Sequence, residues 1–121
     1  MAEYMMLLHE STTGFADLSA EDIQQVIGEY VAWRKSVAAN GKMVGGQKLK
    51  DESGKNLIIQ NGSLRVTDGP FAETKEVLGG FEIVECADLD AAIAIAKRFP
   101  SLSAGLTVEI RPLVEGGNCK D

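Results

Sequence analysis

Hydrophobic residues fill both alternating faces of residues 4–9, where Tyr4, Met5, Met6, Leu7 and Leu8 run into His9. A strand written this way is covered on both sides, so the pattern predicts a central strand of a sheet. Residues 11–18 are small and polar and contain Gly14, the composition of a loop. Ser19 then stands three residues before Asp22, a near match to the capping box that has Glu or Gln there, and predicts a helix N-terminus. Behind it Ile23, Val26, Ile27, Tyr30, Trp33 and Val37 keep helical spacing, while Gln24, Gln25, Glu29 and Lys35 fall on other faces. Asn40 and Gly41 predict a left-handed helix stop.

Residues 43–49 read as a second strand interrupted by Gly45 and Gly46, a pair that marks a bulge or a close approach of another backbone or ligand. A charged, glycine-containing loop follows over residues 51–56. Residues 57–60 and 63–66 flank Asn61 and Gly62, the strongest short hairpin signal. The chain re-enters an apolar strand at Val77 and Leu78, crosses Gly79 and Gly80, and completes a strand over residues 81–86. Asp88 caps a second amphipathic helix through Leu89, Ala92, Ile93, Ala96 and Phe99, with Pro100 at its end. Residues 106–113 form the last strand, in which Thr107, Glu109 and Arg111 alternate with Val108 and Ile110. The order is that of an α+β, ferredoxin-like split βαβ repeat with an inserted β-hairpin, one domain over residues 1–114 followed by a polar tail over residues 115–121. Two helices cover only one face of a four-stranded sheet, yet the first strand is apolar on both. The second face therefore calls for an identical subunit, a homodimer packed sheet to sheet.

A chain of 121 residues, 45% hydrophobic and 25% charged, fits a single domain. Its formal net charge of -6, with no basic run, argues against a nucleic-acid or anionic-membrane partner and favours a small molecule or another protein. Neither a signal peptide nor a transmembrane helix is written in the sequence, so the expected location is cytoplasmic. Cys86 and Cys119 lie far apart without metal-ligand or redox spacing; Cys86 reads as a buried apolar residue and Cys119 as an exposed thiol. One histidine cannot build a multi-histidine metal site within one subunit, and no phosphate loop or dinucleotide fingerprint occurs, so neither metal nor cofactor is expected.

Candidate chemistry concentrates in residues 66–81. Pro70 fixes its own φ and pushes Gly69 out of the helical region, so the chain turns before Phe71. Because Pro70 has no N–H, the Asp68 carboxylate is left either to cap Phe71 or Ala72 or to face a ligand. In the second case Asp68, Glu73 and Lys75 are presented to a pocket, and Asp68 beside Phe71 is the candidate general base. Lys75 is the candidate partner of a substrate carboxylate, or else a solvated charge between Glu73 and Glu76. His9, the single histidine, is a candidate acid at neutral pH, or a surface residue beside Glu10. Tyr30 and Trp33 lie on the helix stripe, where aromatics belong to the core unless Tyr30 offers its hydroxyl to a substrate.

The run Asp68, Gly69, Pro70, Phe71, Glu73, Thr74, Lys75, Glu76 and the Gly79–Gly80 pair resembles the signature of the DGPF group of YCII-related domain proteins. The first strand, the Gly45–Gly46 pair, the Asp88 cap and the run Glu109, Ile110, Arg111, Pro112 are similar as well. The resemblance implies a dimeric α+β barrel of ferredoxin-like subunits. It also implies a cleft in which some members are proposed to use a histidine and an aspartate as acid and base, one relative being a dehydrochlorinase of a chlorinated aromatic ring. The helical histidine of those members falls on Tyr30 here, so the dyad does not carry over intact. Three functions stay open: an acid/base lyase or isomerase on a small acidic or aromatic compound, a non-catalytic ligand-binding or regulatory accessory dimer, and a structural or protein-interaction dimer.

Overall fold

The computed structural model of the chain describes residues 2–11, 18–50, 54–69, 76–102 and 105–115. In order they form β1 (Ala2–Ser11), α1 (Ala20–Ser36) continued by a 3-10 turn (Val37–Ala39), β2 (Gly41–Lys48), β3 (Lys55–Gln60), β4 (Ser63–Asp68), β5 (Glu76–Cys86), α2 (Leu89–Ala96) and β6 (Thr107–Pro112). Strands β2, β5, β1 and β6 make a four-stranded sheet in that order, every neighbouring pair antiparallel, and β3 and β4 form a separate hairpin. With the hairpin set aside, this is the ferredoxin-like α+β arrangement.

The two strands richest in apolar residues, β1 and β5, lie side by side at the centre. Their register pairs Tyr4 with Val84, Met6 with Glu82 and Leu8 with Gly80 on one face, and Met5 with Ile83 and Leu7 with Phe81 on the other. Period-two alternation thus sends the first set to the helices. Tyr4, Met6, Leu8, Val84 and Cys86 pack there with Trp33, Val37, Ala92, Ile95 and Phe99. Trp33 fastens α1 to α2: its Nε1–H donates to the Ile95 carbonyl at 3.0 Å, and its ring meets Phe99 edge-on at 4.8 Å. On the other face Met5, Leu7, Phe81 and Ile83 stay half-buried.

The helix starts follow their sequence signals. Ser19 Oγ accepts from the Asp22 N–H at 3.1 Å while Asp22 Oδ2 accepts from the Ser19 N–H at 3.3 Å, a closed capping box built with Asp. Asp88 Oδ1 accepts from the Ala91 N–H at 2.9 Å. The end of α1 departs from the expected left-handed stop. The helix tightens into the 3-10 turn, Asn40 has φ -128°, and Gly41 passes directly into β2. Gly41 is demanded by space, since a Cβ there would lie 2.5 Å from the Glu85 carbonyl oxygen of the neighbouring strand. In the hairpin, Asn61 and Gly62 take φ of 52° and 79°, the double positive φ of a primed turn. No helix among the described residues is long and apolar enough to cross a membrane.

Candidate functional site

Ile23, Val26, Ile27, Tyr30 and Arg34 succeed one another on one face of α1 and line a cavity of about 490 Å³ closed by the sheet and by the segment after α2. Ile23 and Ile27 remain 38% and 49% exposed although their spacing matches the core stripe, because they face this opening rather than the packed core. Opposite them stand Leu8 and Glu10 of β1, Gly46, Gln47 and Lys48 of β2, and Gly79 and Glu82 of β5. Phe99, Pro100, Ser101 and Leu106 complete the wall.

Glu82 is the polar centre of this apolar space. Strand alternation puts it on the helix-facing side of β5, opposite Met6 on one neighbour and Gly46 on the other, and it is only 1% exposed. The Tyr30 hydroxyl donates a hydrogen bond to Glu82 Oε1. Oε2 is buried without a hydrogen-bond partner among the described residues. It occupies the space that Gly46 leaves open, for a Cβ on Gly46 would collide with that oxygen. Burial pushes the Glu82 carboxyl above its ordinary value, against the partial opposition of the Tyr30 hydrogen bond and the Arg34 charge. Tyr30 is pushed up to about 12, first by burial and then by Glu82, with Arg34 again opposing. The pair therefore combines a carboxyl that burial makes harder to ionise than usual with a hydroxyl that stays protonated.

Cations mark both ends of the cavity. Arg34 places its guanidinium 5.9 Å from the Tyr30 ring centroid. At the other end Lys48 Nζ and Glu10 Oε1 lie 3.4 Å apart, and the Glu10 carboxylate fills the space left by the bare backbone of Gly79. The glycine pairs thus make room for carboxylates: Gly46 for Glu82 and Gly79 for Glu10.

Of the residues singled out from sequence, Tyr30 lines the cavity. His9 lies on the opposite face of the sheet, its Nε2 3.0 Å from Glu109 Oε1. Asp68 ends β4, its side chain 81% exposed and ion-paired with Lys55, apart from the residues that line the cavity. Phe71, Glu73 and Lys75 lie outside the described residues. Sequence reasoning passed over Glu82, Arg34, Glu10 and Lys48. A signal for Glu82 was present, as a lone acid in phase with Gly80, Val84 and Cys86 on the core side of an apolar strand.

Residues 2–115 match the YCII-related domain. The chain is also 30% identical over 112 residues to an uncharacterized protein of Rhizobium meliloti (strain 1021), R00369, an alignment spanning 91% of this chain and 90% of that one.

Proposed function

The chain belongs to the YCII-related domain family, and on that premise we propose that it is an acid/base lyase or isomerase acting on a small acidic or aromatic compound held in the α1 cavity. One observation carries the reading: a buried carboxyl, raised above its ordinary value and held by a tyrosine, stands in the wall of an apolar cavity large enough for a small molecule. A carboxyl that holds its proton more tightly than usual is a stronger base once ionised, and once protonated it has a proton to deliver. Glu82 takes a proton from the substrate and either returns it at another position or passes it to a leaving group, while Tyr30 stays protonated and holds the carboxyl in place. This reading gives Glu82 the role that turn chemistry suggested for Asp68. We place the protein in the DGPF group, in the cytoplasm and in a homodimer, the last supported by the apolar residues on the open face of the sheet.

A second reading is favoured by the depth of Glu82, 1% exposed behind Tyr30. There the carboxyl accepts hydrogen bonds and moves no proton, and the protein is a binding or regulatory accessory dimer. A thermal-shift screen of small carboxylates, phenols and sugar acids against wild type, Glu82→Gln and Asp68→Asn tests the site. A ligand at about a hundred times its Kd adds roughly 2.7 kcal/mol, a shift of several degrees. We expect a compound that stabilises wild type and Asp68→Asn alike and Glu82→Gln less; a wild type indifferent to every class removes the cavity reading. The hit is then incubated in D2O and followed by NMR. Deuterium incorporation that disappears in Glu82→Gln supports acid/base catalysis, whereas binding without exchange selects the accessory role.

A further inference from the structure

We infer that Arg34 is the anion anchor of the cavity and that the ligand it selects is a monocarboxylate on a flat apolar body. The inference rests on the reading of this cavity as a small-molecule site and adds the chemistry of what enters it. Arg34 lies one helical turn beyond Tyr30 on the same face of α1. The ion pairs among the described residues are His9–Glu109, Lys48–Glu10, Lys55–Asp68 and Arg111–Glu109, and none includes Arg34. The carboxyl beside it, Glu82, is buried and turned to the Tyr30 hydroxyl. Arg34 does act on the Tyr30 hydroxyl and on the charge of Glu82, but a guanidinium carries five N–H donors in a planar fork that matches a carboxylate, so it has donors to spare for an anion in the cavity.

The opposite end fixes the rest of the ligand. Lys48 is already engaged with Glu10 and with the Leu49 carbonyl. A second carboxylate on the ligand would lose its hydration there without gaining an uncommitted cation, which selects a monoanion over a dianion. Between the two ends the lining is aliphatic and aromatic, with Ile23, Val26, Ile27 and Phe99 on the helix side. Ile23 and Arg34 stand eleven positions apart on α1, a span of roughly 16 Å at helical rise. That is room for one ring with short substituents, its carboxylate on Arg34 and its ring edge beside Tyr30 and Glu82.

The test compares 4-methylbenzoate with its uncharged isostere 4-methylbenzamide, and with terephthalate, by calorimetric titration of the full chain. Wild type is expected to prefer the benzoate over the amide by roughly 10- to 100-fold, the worth of hydrogen bonds to a charged group, and to bind terephthalate more weakly than the benzoate. Arg34→Gln, an exposed helix position whose fold is checked by its melting temperature, is expected to bind acid and amide about equally. Acid and amide bound equally by wild type, or an undiminished preference in folded Arg34→Gln, would overturn the anchor and leave the cavity standing. If wild type binds none of the three while another class in the thermal-shift screen does bind, the ligand class is overturned and the cavity reading survives. Failure of every class removes both.

Discussion

Glu82 shows how a few atoms set the character of the site. An ionised carboxylate is expensive to bury, and a hydrogen bond donated to it offsets part of that cost. Tyr30 supplies that bond, and Gly46 supplies the volume for the second oxygen. Because burial raises this carboxyl above the usual 4.5 in the folded chain, the native state binds more protons than the unfolded state at pH values above that. Its favourable contribution is fully present below the unfolded value and is lost as pH rises through the folded one. Urea unfolding between pH 4.5 and neutrality should therefore show wild type losing stability relative to Glu82→Gln as pH increases. Equal slopes for the two would mean that the carboxyl titrates as if exposed. Single residues differ in how far the sequence alone reveals their surroundings. Tyr30 was placed correctly on its stripe, but helical spacing is identical for a residue facing a core and one facing a cavity, and only the separation of α1 from the sheet distinguishes them. Asp68 drew attention through its local turn chemistry. Its partner was nevertheless legible, since a two-residue turn at Asn61 and Gly62 sets Lys55 directly opposite Asp68.

Among the elements, those written by strong local chemistry came out of the sequence nearly whole. The Asn61–Gly62 turn, the Ser19 and Asp88 caps and the alternation of β6 each involve residues within a few positions of one another, so their physics needs no tertiary context. The end of α1 was misread for the opposite reason. Asn40 and Gly41 carry the usual sequence of a left-handed stop, but Gly41 is required by the backbone of β5, a contact across 44 residues of chain between Gly41 and Glu85. The capping box at the other end of α1 positions the helix that carries Ile23, Tyr30 and Arg34. Ser19→Ala should cost about 1 kcal/mol in urea unfolding, with the cost falling on α1 as faster amide exchange in its first turn. An unchanged midpoint would show that α1 is held by Trp33 and the core alone.

At the scale of the whole molecule, two apolar surfaces have no covering layer among the described residues. One is the open face of the sheet, where Met5, Leu7, Phe81 and Ile83 cluster across β1 and β5. The other is the hairpin, in which Leu57 pairs with Val66 and Ile59 with Leu64, all four on one side and between 58% and 71% exposed. Two-stranded ribbons are marginal alone in water, and this one turns its apolar side outward. The doubly apolar pattern of β1 is the sequence feature from which a second copy is expected. A stable interface takes about 800 Å² per partner, which exceeds a single patch of roughly 300–600 Å² on an ordinary monomer, so the two surfaces are expected to act together. Sedimentation of the wild type should give twice the mass of one chain, with a melting temperature that rises with protein concentration. Leu7→Glu, opposite Phe81 at the middle of the open face, would place like charges near a two-fold axis and should give a monomer whose melting temperature no longer depends on concentration. Ile59→Glu reports on the hairpin separately: a weakened dimer puts the hairpin in the interface, and an intact one confines the contact to the sheet. A wild type that sediments as a single chain at all concentrations would remove the dimer, and the cavity on the far side of the sheet would then have to function within one subunit.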